Sequence, residues 1–392
     1  MLSYWRVRAR CFLVLPLLFA NTHARTAPLD LASDPSVAVG QSFDLPTLKK
    51  PEGLRPCCAF GYNLGAEISG APIPFYRLDN IVESGNLGTH RYNDSVIRGL
   101  TTMVGGGSEK NGIIYTTQGG FIDTAHVRDS MDMTYWVASQ LIHPPPGAAT
   151  ISLSDELARR QLVIHPNQLP SDPNQAYSVA VWTAARVAFD LAAWHEIAQW
   201  YGFQSVAGFP EGVSAFSPED LYSNLLGVRL AASLLLAGKA TDLDQYNQQA
   251  TQALTQALNA LGAVPRQGTA AQFDRIDGQW WDSQRRVPNK WLVRHRNYLT
   301  DNHRQPTPIP GQPAANYRLS LPQQVAGVNL DEVAALQLLP GRSSGQLPPF
   351  NSRLTRADFS RLAQQAQRSD SEARPATTPP RASPHRQTGD DR

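Results

Sequence analysis

Two pairs of residues in this chain have the types and spacing to do chemistry. His195 and Glu196 stand side by side in SVAVWTAARVAFDLAAWHEIAQWYGF, from Ser178 to Phe203. His126 and Asp129 lie three residues apart in FIDTAHVRDSMD, an interval that puts two side chains on one helix face. Histidine titrates near neutral pH, and a carboxylate beside it can orient the ring or hold it charged. Two histidines and two carboxylates on packed helices can therefore pass protons or bind a metal. The competing reading is a buried polar network that only locks helix packing. A zinc site of the His-Glu-x-x-His type fails at its last ligand, where the residue is Gln199. No Gly-x-Ser-x-Gly elbow marks a serine nucleophile. Gly105-Gly106-Gly107 lacks the Gly-Lys-Ser/Thr ending of a phosphate loop.

The elements that must position these residues are helices. The run around His195 is Ala-rich and has no Gly or Pro before Gly202. It is apolar on nearly every face, the pattern of a helix buried in the centre of a domain. Arg186 and Asp190 are spaced to pair along it. A second helix runs from Ala125 to Ile142, capped by Asp123 and stopped by Pro144-Pro145-Pro146. On it Arg128 and Asp132 are spaced to pair. A third follows within Ser214 to Gly238. Its Ser217-Pro218-Glu219-Asp220 start carries every helix-initiation signal, which explains Glu219 and Asp220 without a catalytic role. An amphipathic helix covers Thr241 to Leu261, a shorter one Ser154 to Leu162, and Ile113 to Thr117 reads as a strand. The expected fold is mainly α: a single helical domain with a few short strands at its edge.

Residues 1–24 read as a secretory signal, with Arg6, Arg8 and Arg10 before the apolar run Cys11 to Ala20. The boundaries expected after it are an exported leader at 25–50, the helical domain at 51–300, a C-terminal extension at 301–367 and a disordered tail at 368–392. The mature chain is then periplasmic or secreted, with no transmembrane segment. Lys and Arg number 35 against 33 Asp and Glu, a balance that does not point to nucleic acid. Cys57 and Cys58 are adjacent and could be small buried residues, a redox pair or half a metal site. The segment Val264 to Tyr298 is aromatic and basic, with Trp280, Trp281, Trp291, Arg285, Arg286, Arg294 and Arg296. It is either an anion or headgroup surface or, the preferred reading, loops that pack Trp on the core.

Several stretches taken together, GLRPCCAFG, NGIIYTTQGGFIDTAHVRDSMD, WHEIAQWYGF and SAFSPEDLYSNLLG, resemble an uncharacterised family of exported bacterial proteins, a domain of unknown function. The resemblance covers Gly53 to Trp291 and implies a mostly helical exported domain. A shorter likeness, at Asp123-Thr124-Ala125-His126, is to VanZ-like helical families and implies envelope lipid chemistry. The function expected is an envelope hydrolase or transferase. Its site residues would be His126, Asp129, His195 and Glu196, its cofactor unknown with a divalent metal as one candidate, and its partner a cell-envelope lipid or glycan. The alternative is a non-catalytic envelope binding or scaffold protein that uses Trp280 to Arg296 as its contact surface.

Overall fold

The structure, a computed structural model, describes residues 41–55, 59–68, 70–93, 109–205 and 210–374. The signal, Cys57, Cys58, Gly105-Gly106-Gly107 and residues 375–392 lie outside them. Three helices make the centre: α1 (Thr124–Ile142), α2 (Pro173–Trp200) and α3 (Asp220–Leu236), each packed on the other two. Asp123 caps α1 as expected, its carboxylate accepting from the Ala125 N–H at 2.7 Å. Asp172 and Pro173 start α2. Helix α2 is buried on nearly every face, Ala192 and the two ends apart.

Gly227 sets the spacing of α1 against α3. A Cβ there would fall 2.2 Å from the Val127 carbonyl oxygen and 2.9 Å from Ser130 Cβ. Only glycine lets the two backbones meet this closely. The approach brings the first turn of α1 beside the first turn of α3. Helix α4 (Leu243–Ala260) covers α3, and α5 (Arg266–Ile276) lies on the hairpin of β3 (Ile113–Thr116) and β4 (Gly120–Asp123).

Among the described residues the chain is 40% helical and 16% strand, in seven helices and several small sheets. The fold is therefore mixed α/β, which corrects the expectation of a mainly α domain. The largest error is at Ser154 to Leu162, read as a helix. β6 (Arg159–Ile164) is instead the middle of an antiparallel sheet, between β5 (Ala149–Ser152) and β12 (Ala334–Leu339), with Leu162 opposite Leu336. Its partner β12 lies far along the sequence, so no local pattern reveals the pairing. β1 (Gly65–Ile68) pairs with β2 (Ala71–Pro72) and, in parallel, with β7 (Arg286–Val287). β8 (His303–Arg304) pairs with β9 (Leu319–Ser320), and β10 (Gln324–Val325) with β11 (Val328–Asn329).

The stretch 301–373 is built into the same core. Besides β12 it supplies α6 (Leu330–Val333) and α7 (Arg356–Ala373), both packed on α2. Helix α7 continues past Arg368, where the sequence reads as a tail. Asp370 is the reason: it accepts from the Trp200 indole at 3.0 Å and pairs with Lys290 at 2.5 Å. Leu45 and Leu48 also join the core. The two pairs expected along helices do not form. Arg186 bonds Asp331 and Asp190 bonds Arg356; Arg128 pairs with Glu109 and Asp132 with Arg55. Buried charges took partners on other elements, where desolvated geometry was available. Among the described residues no helix is long and apolar enough to cross a membrane.

Candidate functional site

The four residues singled out by sequence fall into three separate groups. Asp129 leaves His126 and joins Arg55, accepting from its backbone N–H at 2.9 Å and its Nη1 at 2.8 Å. Arg55 also bonds Glu109 and Asp132, and His90 and the Tyr246 hydroxyl close on Asp132, each at 2.9 Å. This is a charge-paired network that ties the N-terminal segment to α1 and α4. His195 faces Glu156, with Nδ1 at 3.3 Å from Oε1, and Arg160 holds the same carboxylate at 2.8 Å. Burial pulls the His195 pKa down, but the charge and hydrogen bond of Glu156, with the charges of Glu196 and Glu211, together outweigh it and the net direction is up.

The third group holds His126 and Glu196 and adds Asp220, the residue that helix-start signals had explained away. One nitrogen of His126 and one oxygen from each carboxyl lie within 4.8 Å of one another. His126 Nε2 is 3.6 Å from Asp220 Oδ1. Glu196 and Asp220 are only 0% and 1% exposed. His126, at 9%, is the member that reaches the surface. Each comes from an element described above: His126 from the first turn of α1, Glu196 from the last turns of α2, Asp220 from the start of α3. Asp220 thus begins its helix and faces the site at once, a double role no sequence signal separates.

Donors around the three are unevenly shared. Phe216 N–H reaches Glu196 Oε2 at 2.7 Å, delivered by a left-handed backbone with φ of 56°. Ser217 N–H reaches Asp220 Oδ2 at 3.0 Å. Glu196 Oε1 and Asp220 Oδ1 are buried and receive no donor from outside the pair, and Glu219 is buried beside them. Burial first and the Asp220 charge second push Glu196 up to about 8. Burial and neighbouring carboxylates also raise Asp220 and Glu219 well above the usual range. Carboxyls this close and this dry hold protons between them at neutral pH.

The tautomer of His126 follows from Asn224. Its amide nitrogen donates to the Asp220 carbonyl at 3.0 Å, which fixes which end of the amide is NH2. The same nitrogen stands 3.0 Å from His126 Nδ1, and Ser130 donates to the amide oxygen at 2.7 Å. Nδ1 is therefore an acceptor, and in the neutral ring Nε2 carries the proton, towards Asp220. A metal at Nε2 would need the opposite tautomer, with Nδ1–H aimed at an N–H. The side chains able to hold a cation are nonetheless His126, Glu196 and Asp220, once Asn224 turns.

A small acid-lined site at the junction of three helices, flanked by a strand hairpin, is what the fold and geometry define. The chain belongs to the family DUF4056, described as proteins of unknown function, whose model matches residues 45–310 and so includes all three site residues. No curated protein and no solved structure matches the chain.

Proposed function

We propose that this protein is an exported hydrolase or transferase of the cell envelope that works by acid–base catalysis on a buried carboxyl pair. The observation that carries this is the pair itself: Glu196 and Asp220, buried, facing His126, each with one oxygen that receives no donor from outside the pair. Glu196, held protonated to about pH 8, is the acid that protonates a leaving oxygen. Both carboxyls are raised and share a proton; Asp220, which accepts the Ser217 N–H and faces His126 Nε2, carries the pair's charge while Glu196 holds that proton. Asp220 takes the proton of the attacking water or hydroxyl. His126, the site member nearest the surface, points Nε2 towards Asp220 and steers that exchange as a hydrogen-bond donor. Two carboxyls with unlike protonation are the equipment of glycoside cleavage, so an envelope glycan is the favoured substrate. The envelope setting itself rests on the signal-like N-terminus, and a lipid-linked substrate on the likeness at Asp123 to His126.

The second reading is a divalent cation bound by His126, Glu196 and Asp220, favoured by the same two oxygens. One experiment separates the two: elemental analysis of the purified mature protein, with release of reducing ends from isolated envelope glycan measured alongside. Activity without stoichiometric metal, abolished by Glu196→Gln, supports the carboxyl pair. A stoichiometric metal lost in both His126→Ala and Glu196→Gln replaces it with the metal reading. Full activity of Glu196→Gln sinks both.

A further inference from the structure

A cleft on another face of the molecule uses part of the aromatic and basic segment. It encloses about 400 Å³ and is walled by Tyr62, Trp281, Ser283 and three arginines, Arg77, Arg285 and Arg286, with Asp274 and Asp277. The parallel pairing of β1 with β7 sets Gly65 opposite Arg286. A side chain at position 65 would begin 3.1 Å from Arg77 Nη1 and 3.2 Å from Arg286 Cγ. Glycine thus leaves room for two guanidinium-bearing chains to converge. Like charges held together in a concave wall raise the local potential for an anion.

The acids in this wall are already engaged by neutral donors. Asp274 accepts from the Tyr62 hydroxyl at 2.6 Å. Asp277 accepts from the Gly278 and Ser283 N–H groups and from the Ser283 hydroxyl. Arg285 is held by Asp282 at 3.1 Å. Arg77 gives only a 3.3 Å bond to the Tyr76 carbonyl. Among the described residues neither Arg77 nor Arg286 has a carboxylate partner. Trp280, Trp281 and Arg296, by contrast, are buried packing residues. Arg285 and Arg286 are half-buried at the cleft, beside the exposed Ser283 and Gln284.

We infer that this cleft is a phosphate-binding site, the phosphate being held by Arg77 and Arg286 and carried on a polar ligand about the size of a sugar. Two forked guanidinium groups suit a phosphate, which has oxygens for both, better than a carboxylate, which one fork satisfies. The same group occurs on soluble sugar phosphates and on lipid headgroups.

The test uses the full mature protein. Inorganic phosphate is titrated calorimetrically into wild type, Arg77→Ala/Arg286→Ala and His126→Ala, and co-sedimentation with phosphatidylglycerol vesicles is run in parallel. Wild type and His126→Ala are expected to bind phosphate alike, and the double variant roughly tenfold or more weakly. Both arginines reach solvent, so the double variant should keep its melting temperature. Phosphate binding without vesicle binding assigns a soluble ligand; loss of vesicle binding in the double variant assigns a headgroup. Absence of saturable phosphate binding in wild type, or undiminished binding in the double variant, overturns the inference. Loss in His126→Ala alone overturns it too, by placing the phosphate in the buried acid site.

Discussion

Replacing Glu196 by Gln should make the protein more stable, by an amount that depends on pH. The side chain is fully buried, and its pKa is pushed from 4.5 up to about 8. Between those values the folded chain keeps a proton that the unfolded chain has lost, so stability falls as pH rises through the window. The full difference is worth roughly 5 kcal/mol above pH 8, and roughly 3 kcal/mol at pH 7. Below pH 4.5 the carboxyl is protonated in both states and contributes no slope. Glutamine mimics the neutral form in shape. The variant should therefore match wild type near pH 4.5 and exceed it increasingly towards pH 8.5. Urea unfolding of both proteins at intervals across this range measures the gap directly. Parallel curves would refute the argument. A wild type that gains stability with pH relative to the variant would mean that Glu196 is ionised in the folded state, as a cation ligand would be.

Four further outcomes follow from the packing. Gly227→Ala puts a methyl into the Val127 carbonyl and should cost about 1–3 kcal/mol in unfolding free energy while weakening activity through a displaced Asp220. Arg55→Ala strands Asp129, takes a partner from Glu109 and Asp132, and should cost roughly 3–5 kcal/mol by the same measurement. His195→Ala breaks the buried pair with Glu156 and should lower the melting temperature more at pH 5.5 than at pH 8.5, because the raised pKa stabilises the fold only while the ring is charged. Asn224→Asp turns the donor at His126 Nδ1 into an acceptor and should move the ring proton from Nε2 to Nδ1, seen in the nitrogen NMR shifts of that ring.

The three core helices were legible because each carries local evidence: Ala and Leu content, an Asp cap, a proline at the first turn. Of the strands, Ile113–Thr116 was legible from its β-branched and aromatic run, whereas Arg159–Ile164 was not, since it lies between Ala149–Ser152 and the distant Ala334–Leu339. At the site, His126 and Glu196 were readable as polar residues on apolar helices. Asp220 was hidden by its own fitness as a helix starter, and Asn224 by being an ordinary amide until its neighbours were in place. His195 and Asp129 mislead for a common reason. Adjacency in sequence says little about which of several buried charges a side chain meets, and Glu156 and Arg55 arrive from elsewhere in the chain.

Helix α2 is covered on almost all sides, and Glu196 sits within its last turns. Its amide hydrogens should exchange with solvent deuterium only when the whole molecule opens, not through local fraying. A ligand would then enter past His126, the site member nearest the surface. The acid would stay a fixed point while its surroundings breathe, and exchange protection would rise together along the whole of α2 with any ligand that stabilises the folded state.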